Sequence, residues 1–278
     1  MQGGGQTSFV ATPRLIVAGN CQASFIAKLL AANPAVTDRY KVVYFRNFRP
    51  GDQGELTEHN LRNCGVLLEQ IAHRAPELPQ KALLPKWTKV IRFPIVWFNS
   101  LWPSYTRDDR NPPKGEGEQI WPYGDRLILD ALGKGMSPTD AVKQWFETDV
   151  AARVDLDRFH EINAAKAREL DTRAEVKLGA YVLDNFRREK LFASHNHPYF
   201  PMFEVMRDRI YEAMDLPPGQ EDMQLASSGM YDTHVPIHPS VARHFGLQWW
   251  TPEMAGRLRD IEVEPFEFWR KYAAFERP

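Results

Sequence analysis

The folding options of this chain narrow most at residues 15–23. Leu15-Ile16-Val17-Ala18 is an apolar run that reads as a buried β-strand, and it stops at Gly19-Asn20. From Gln22 the pattern changes: Phe25, Ile26, Leu29 and Leu30 recur at helical spacing. A strand therefore turns sharply into a helix, and Cys21 stands at the turn. A thiol there faces the positive end of the helix dipole and its unbonded backbone N–H groups, which favour the thiolate. A nucleophile on a strand–turn–helix elbow is one way to build an acyl-transfer site. The competing reading is a buried structural cysteine.

The elbow opens a repeating pattern. Lys41 to Phe45 reads as a second strand, Gly65 to Leu68 as a third ending in Glu69-Gln70, and Lys89 to Phe93 as a fourth stopped by Pro94. Strands alternating with helices predict an α/β fold, a short parallel sheet flanked by helices. Ligands of such sheets bind beyond the carboxyl ends of the strands, so Cys21, Glu69-Gln70 and the Phe93-Pro94 corner are expected on one edge. Side-chain amides at that edge (Gln70, Asn20, Gln22), and the Cys21 backbone N–H, can donate to a developing oxyanion. Alternatively, Gln70 caps the next helix.

Leu101 to Gly124 mixes Trp102, Tyr105, Trp121 and Tyr123 with prolines and with Arg107, Arg110 and Lys114. The segment reads either as a lid-like insertion or as an excursion whose aromatics pack back on the core. The rest is helix-rich. Helices are expected over Leu127–Leu132, from Pro138 to about Val150 behind a Ser137 cap, over Asp155–Thr172, Lys177–Lys190 and Tyr199–Met214, and in three short tail segments: Pro239–Phe245, Pro252–Ile261 and Pro265–Phe275. The Gly-rich stretch 1–12 is expected to be flexible, and 13–278 to form a single α/β domain.

His195-Asn196-His197-Pro198 is the second feature that can carry chemistry. With Pro198 in the first position of a helix, His197 becomes its N-cap. A histidine beside the sheet edge could take a proton from the thiol or from an incoming hydroxyl and return it. The bland alternative is a capping His197 and a surface His195. No zinc spacing involves the histidines, and no P-loop or Gly-x-Gly-x-x-Gly fingerprint is present, so no metal is expected. Lys+Arg of 35 against Asp+Glu of 36 gives no push toward nucleic acid. Two cysteines suit a reducing compartment, and no apolar run reaches the roughly 18 residues of a membrane span. The default location is the cytoplasm.

These residues together resemble the WcbI-type polysaccharide-biosynthesis acetyltransferases. Val17-Ala18-Gly19-Asn20-Cys21-Gln22-Ala23 is similar to that family's Gly-Asn-Cys-Gln signature. Val66-Leu67-Leu68-Glu69-Gln70, Val90-Ile91-Arg92-Phe93-Pro94 with Trp97-Phe98, and Leu191 to Pro198 resemble its later elements, with Pro236-Ile237-His238-Pro239 a weaker tail match. The resemblance implies an SGNH- or flavodoxin-like fold, in which Gly19-Asn20-Cys21 takes the place of the hydrolases' Gly-Asp-Ser block. It implies acetyl-CoA as co-substrate and O-acetylation of a sugar hydroxyl, the acceptor being a carbohydrate or sugar nucleotide. Cys21, His197, Gln70 and Asn20 would be catalytic; Gly19, Gln22, Arg92, Asn196 and His195 would line the coenzyme A site. Ser194 stands where the hydrolases carry Asp, so the group orienting His197 is open among Glu69, Asp184 and a backbone carbonyl. Arg14, Arg46, Arg49, Arg92, Arg107 and Arg110 are candidates for the coenzyme phosphates. A carbohydrate esterase and a non-catalytic sugar- or coenzyme-binding module are the alternative functions.

Overall fold

The computed structural model describes residues 12–47, 56–74, 78, 80–111, 121, 123–217, 219–220, 223, 233–258 and 261–275. Their contacts divide the chain into two compact units. Unit 1 takes residues 1–95, 170–177 and 205–227; unit 2 takes 96–169, 178–204 and 228–278.

In unit 1 the four apolar runs become β1 (Arg14–Gly19), β2 (Lys41–Arg46), β3 (Cys64–Ile71) and β4 (Lys89–Pro94). All pair in parallel, in the order β2-β1-β3-β4. Strands buried on both faces are apolar at nearly every position, which is why these runs do not alternate with polar residues. On one face Ile16, Ala18, Phe45, Leu61, Leu67 and Leu78 form a core cluster. By strand alternation Leu15, Val17 and Gly19 point to the other face. Helix α1 (Cys21–Ala32) packs on β1 and β2, burying Phe25, Ile26, Leu29 and Leu30. Each such side chain stabilises the fold by about 1.5–3 kcal/mol.

In open parallel sheets ligands bind where the strand order reverses. From β1 the chain goes to one side for β2 and to the other for β3, so the topological switch point lies between β1 and β3, outside their carboxyl ends. Register places Ala18 beside Glu69, Gln70 beside Phe93, and Ile71 beside Pro94. The expected gathering at the carboxyl edge is therefore present. β3 runs further than expected, through Glu69 and Gln70 to Ile71.

Unit 2 is rich in helices. Arg126–Gly133 starts at Asp125, whose carboxylate accepts from the N–H groups of Leu127 (2.8 Å) and Ile128 (3.3 Å). Pro138–Glu147 starts at the Ser137 cap, and Pro265–Ala273 packs against both helices. Their shared core is aromatic: the rings of Trp145 and Trp269 lie 5.3 Å apart. β5 (Tyr105–Thr106) pairs antiparallel with β6 (Gly124–Asp125), and β7 (Phe192–Ser194) with β8 (His197–Pro198).

Three expected helices change. Lys177–Lys190 is helical only over Gly179–Asn185. Upstream, the Val176 N–H bonds the Arg92 carbonyl (3.0 Å), and Gly179 lies so close to Ala167 that a Cβ there would meet its carbonyl oxygen at 2.6 Å. Pro252–Ile261 is not a helix. Gly256–Leu258 and Ile261–Val263 form an antiparallel strand pair, with Gly256 pressed against Phe268 where a Cβ would meet the ring at 2.9 Å. Finally, His197 is not an N-cap. It pairs with Ser194 across a two-residue turn, and the next helix starts at Phe200 with Pro201 in its first turn.

The stretch expected to be flexible lies outside the described residues except for Thr12. Of the lid-like insertion only 101–111, 121, 123 and 124 are described. There Trp102, Trp121 and Tyr123 are buried. Asn111 clasps Trp121, donating to its carbonyl (2.8 Å) and accepting from its N–H (3.2 Å).

Candidate active site

At the switch point of unit 1, Asn20 caps α1: its Oδ1 accepts from the Gln22 N–H at 2.9 Å. Gln70 reaches across from β3. Its Oε1 accepts from the Asn20 N–H (2.9 Å), and its Nε2 donates to Gln22 Oε1 (3.2 Å). Tyr44 of β2 donates to the carbonyls of Gly19 (3.2 Å) and Asn20 (3.1 Å). Only glycine fits position 19, where a Cβ would lie 2.5 Å from Gln70 Oε1 and 2.7 Å from the Ala23 Cβ. Gly19, Asn20, Cys21, Gln22 and Gln70 are thus brought together as the sequence suggests. Gln70 and Gln22 are buried and bonded to each other, so they brace the elbow; Gln70 caps no helix.

Cys21 is the first residue of α1 and is exposed, whereas Cys64 is fully buried. Desolvation by the surrounding protein nevertheless pushes the Cys21 thiol above its ordinary pKa. The N–H groups of Gln22 and Cys21, and the Arg46 guanidinium, pull the other way without overcoming it. The helix terminus therefore lowers the cost of a thiolate but does not hold one at rest.

In unit 2 the turn His195-Asn196 presents two imidazoles. His195 stacks on Tyr105, ring centroids 3.7 Å apart, and meets the edge of Tyr123 at 5.5 Å. Its carbonyl accepts from the Phe98 N–H at 2.8 Å. Asn196 Oδ1 accepts from the Ser194 hydroxyl (3.2 Å), which fixes the turn. His197 Nδ1 lies 2.6 Å from the Tyr123 hydroxyl. Burial keeps both rings neutral: it depresses His197 to about 4, and with the neighbouring His197 charge it depresses His195 to about 3. His195 is in the turn and His197 is on β8. Tyr123 is the contact the sequence does not announce. It lies 74 residues away in a proline-rich segment.

The family model of the polysaccharide biosynthesis enzyme WcbI matches residues 14–219. The chain belongs to this family. A solved WcbI structure, described as native protein without a disulfide bond between coenzyme A and a cysteine, has the same fold. It superposes with a TM-score of 0.70 at 18% identity, covering 94% of this chain and 90% of that one. No curated protein matches the sequence.

Within this WcbI-family chain the candidate arginines have different partners. Arg92 is paired with Glu175 (3.4 Å) and Glu69 (3.6 Å), and Glu69 also binds Lys81 (3.0 Å). By strand alternation Glu69 and Arg92 project from the face opposite Gln70, so Arg92 is not among the groups gathered at the elbow. Arg14 stands at the amino end of β1 and donates to the Thr12 carbonyl (2.8 Å) and Asn60 (3.3 Å). Arg110 binds Asp108 (2.8 Å) and the carbonyls of Tyr272, Ala273 and Phe275. Arg46, at the end of β2, has an electrostatic contact to Cys21. Arg49 lies outside the described residues. No helix among the described residues is long and apolar enough to cross a membrane.

Proposed function

We propose that this polysaccharide biosynthesis enzyme transfers an acetyl group from acetyl-CoA to a hydroxyl of a carbohydrate or sugar-nucleotide acceptor. The observation that carries the reading is Cys21 at the start of α1, on the carboxyl edge at the β1–β3 switch point. The coenzyme A and cysteine named for the solved WcbI structure support it.

In the proposed reaction the Cys21 sulfur attacks the thioester carbonyl. The new S–C bond forms as the bond to coenzyme A breaks, and the coenzyme leaves as its thiol with the proton Cys21 gave up. One thioester replaces another, so this half-reaction is nearly even in energy. The sugar hydroxyl oxygen then attacks the acetyl carbonyl of acetyl-Cys21, the S–C bond to Cys21 breaks, and the hydroxyl's proton passes to the Cys21 sulfur. His197 carries the proton in both halves. Since the thiol and the imidazole both rest neutral, proton transfer accompanies attack instead of preceding it. The Cys21 N–H and the Asn20 amide are the candidate oxyanion donors.

The test is a single turnover with acetyl-CoA and no acceptor, read by intact mass and peptide mapping. One acetyl group on Cys21, transferred when a sugar is added and absent in Cys21→Ala, is the expected result. Full transfer activity in Cys21→Ser with no acetyl-enzyme would restrict Cys21 to positioning the substrates.

A further inference from the structure

A histidine that shuttles protons works best when a third group holds its other ring nitrogen. The sequence leaves that group open among Glu69, Asp184 and a backbone carbonyl. Glu69 is engaged by Lys81 and Arg92, whereas the Tyr123 hydroxyl stands 2.6 Å from His197 Nδ1. We propose that Tyr123 is the positioning residue for His197, fixing the ring through Nδ1 so that Nε2 is the edge that serves the substrate. This rests on the acetyl-transfer reading for its consequence, but not for its geometry.

Three observations support it. The Tyr123 and His197 rings are perpendicular (89°) with centroids 5.9 Å apart, so the hydroxyl, and not face-to-face stacking, aligns them. Both partners hang on braced backbone. Tyr123 precedes β6, where Gly124 is pressed against the Thr106 carbonyl and the Tyr272 hydroxyl (a Cβ would lie 2.8 Å from each), and Asp125 anchors the next helix. His197 is held by the β7–β8 pairing, and the Tyr199 N–H bonds the Leu191 carbonyl at 2.7 Å. Tyr123 is also shielded, at 6% exposed, and His197 is half-buried. A phenol suits such a site because it orients an imidazole without bringing a charge that would itself need solvation. Nδ1–H donates to the phenol oxygen throughout, which leaves the Nε2 lone pair to take the proton of the attacking group and to give it back.

The test pairs ring-nitrogen NMR with kinetics on the full chain. Histidine is labelled with nitrogen-15, the His197 signals are assigned by their loss in His197→Gln, and wild type is compared with Tyr123→Phe. The expected result is a changed Nδ1 shift for His197 in Tyr123→Phe. With it, kcat for acetyl transfer falls about tenfold to a hundredfold while KM for acetyl-CoA is unchanged. Should the phenylalanine variant fold poorly, 3-fluorotyrosine at position 123 keeps the hydroxyl and alters only its acidity, and it too should move the Nδ1 signal. An unchanged Nδ1 signal overturns the proposal, and so does a changed signal with unchanged kcat. If wild type shows no acetyl transfer, the functional reading fails while the NMR comparison still decides whether Tyr123 holds the ring.

Discussion

The cysteine elbow of unit 1 and the histidine turn of unit 2 are built by different physics. The elbow is a hydrogen-bonded junction. A glycine with no room for a side chain, an asparagine cap and two buried glutamines hold the backbone, and the Cys21 side chain is left exposed. The histidine turn is an aromatic assembly in which Tyr105 stacks on His195 and Tyr123 bonds His197. The elbow relies on making every buried polar contact, so one altered atom is costly. The turn relies on excluding water, so its imidazoles are held neutral and its sensitivity is to pH.

Substitutions that touch only one region sharpen this contrast. The largest expected effect is Cys21→Ala: the side chain is exposed, so stability should hardly change, while acetyl transfer should fall by at least about a thousandfold in a coupled coenzyme A release assay. Gly19→Ala should act on the fold, because the new Cβ overlaps Gln70 and Ala23. A loss of about 3 kcal/mol in urea unfolding is expected. Equal stability for Gly19→Ala and wild type would break the view of the elbow as a tight junction. Gln70→Leu should cost about 1–3 kcal/mol, since it leaves the Asn20 N–H and Gln22 Oε1 buried without their partner.

A pH titration probes the histidine turn. His197 is depressed to about 4 and His195 to about 3 in the folded chain, below the roughly 6.5 of an unfolded histidine. Between these values the unfolded state binds more protons, so stability rises with pH there. The contribution is complete above about pH 6.5 and is lost as pH falls through about 4. The urea midpoint should therefore drop over that window, and replacing both histidines with Gln should flatten part of the drop. An unchanged slope would show that burial of the imidazoles does not govern their charge.

The same contrast explains what the sequence reveals. The elbow is legible because strand, turn and helix are contiguous: Leu15 to Leu30 announces both elements, and the parallel strands follow from their apolar runs. Even the Gln70 contact is within reach of reasoning, because parallel register brings the carboxyl ends of β1 and β3 side by side. What the sequence misjudges is charge. A helix N-terminus favours a thiolate, but the desolvation that accompanies a folded site is not written in local spacing, and it wins. The histidine turn is less legible for a related reason. Pro198 before a helical pattern looks like a first-turn proline, yet the pairing of β7 with β8 claims His197 and Pro198 first, and Pro201 takes that place. Tyr123 is separated from His197 by 74 residues, and no periodicity links them. Arg92 illustrates the converse. It falls on the motif, but its charge is met by Glu69 and Glu175, the latter 83 residues away.

On the proposed mechanism the acyl group changes hands at the β1–β3 elbow. A crystal structure of the protein soaked with coenzyme A would show whether it does. The coenzyme's sulfur is expected against Cys21 Sγ, at the carboxyl ends of β1 and β3. Coenzyme A bound away from Cys21, or no binding at saturating concentration, would contradict it.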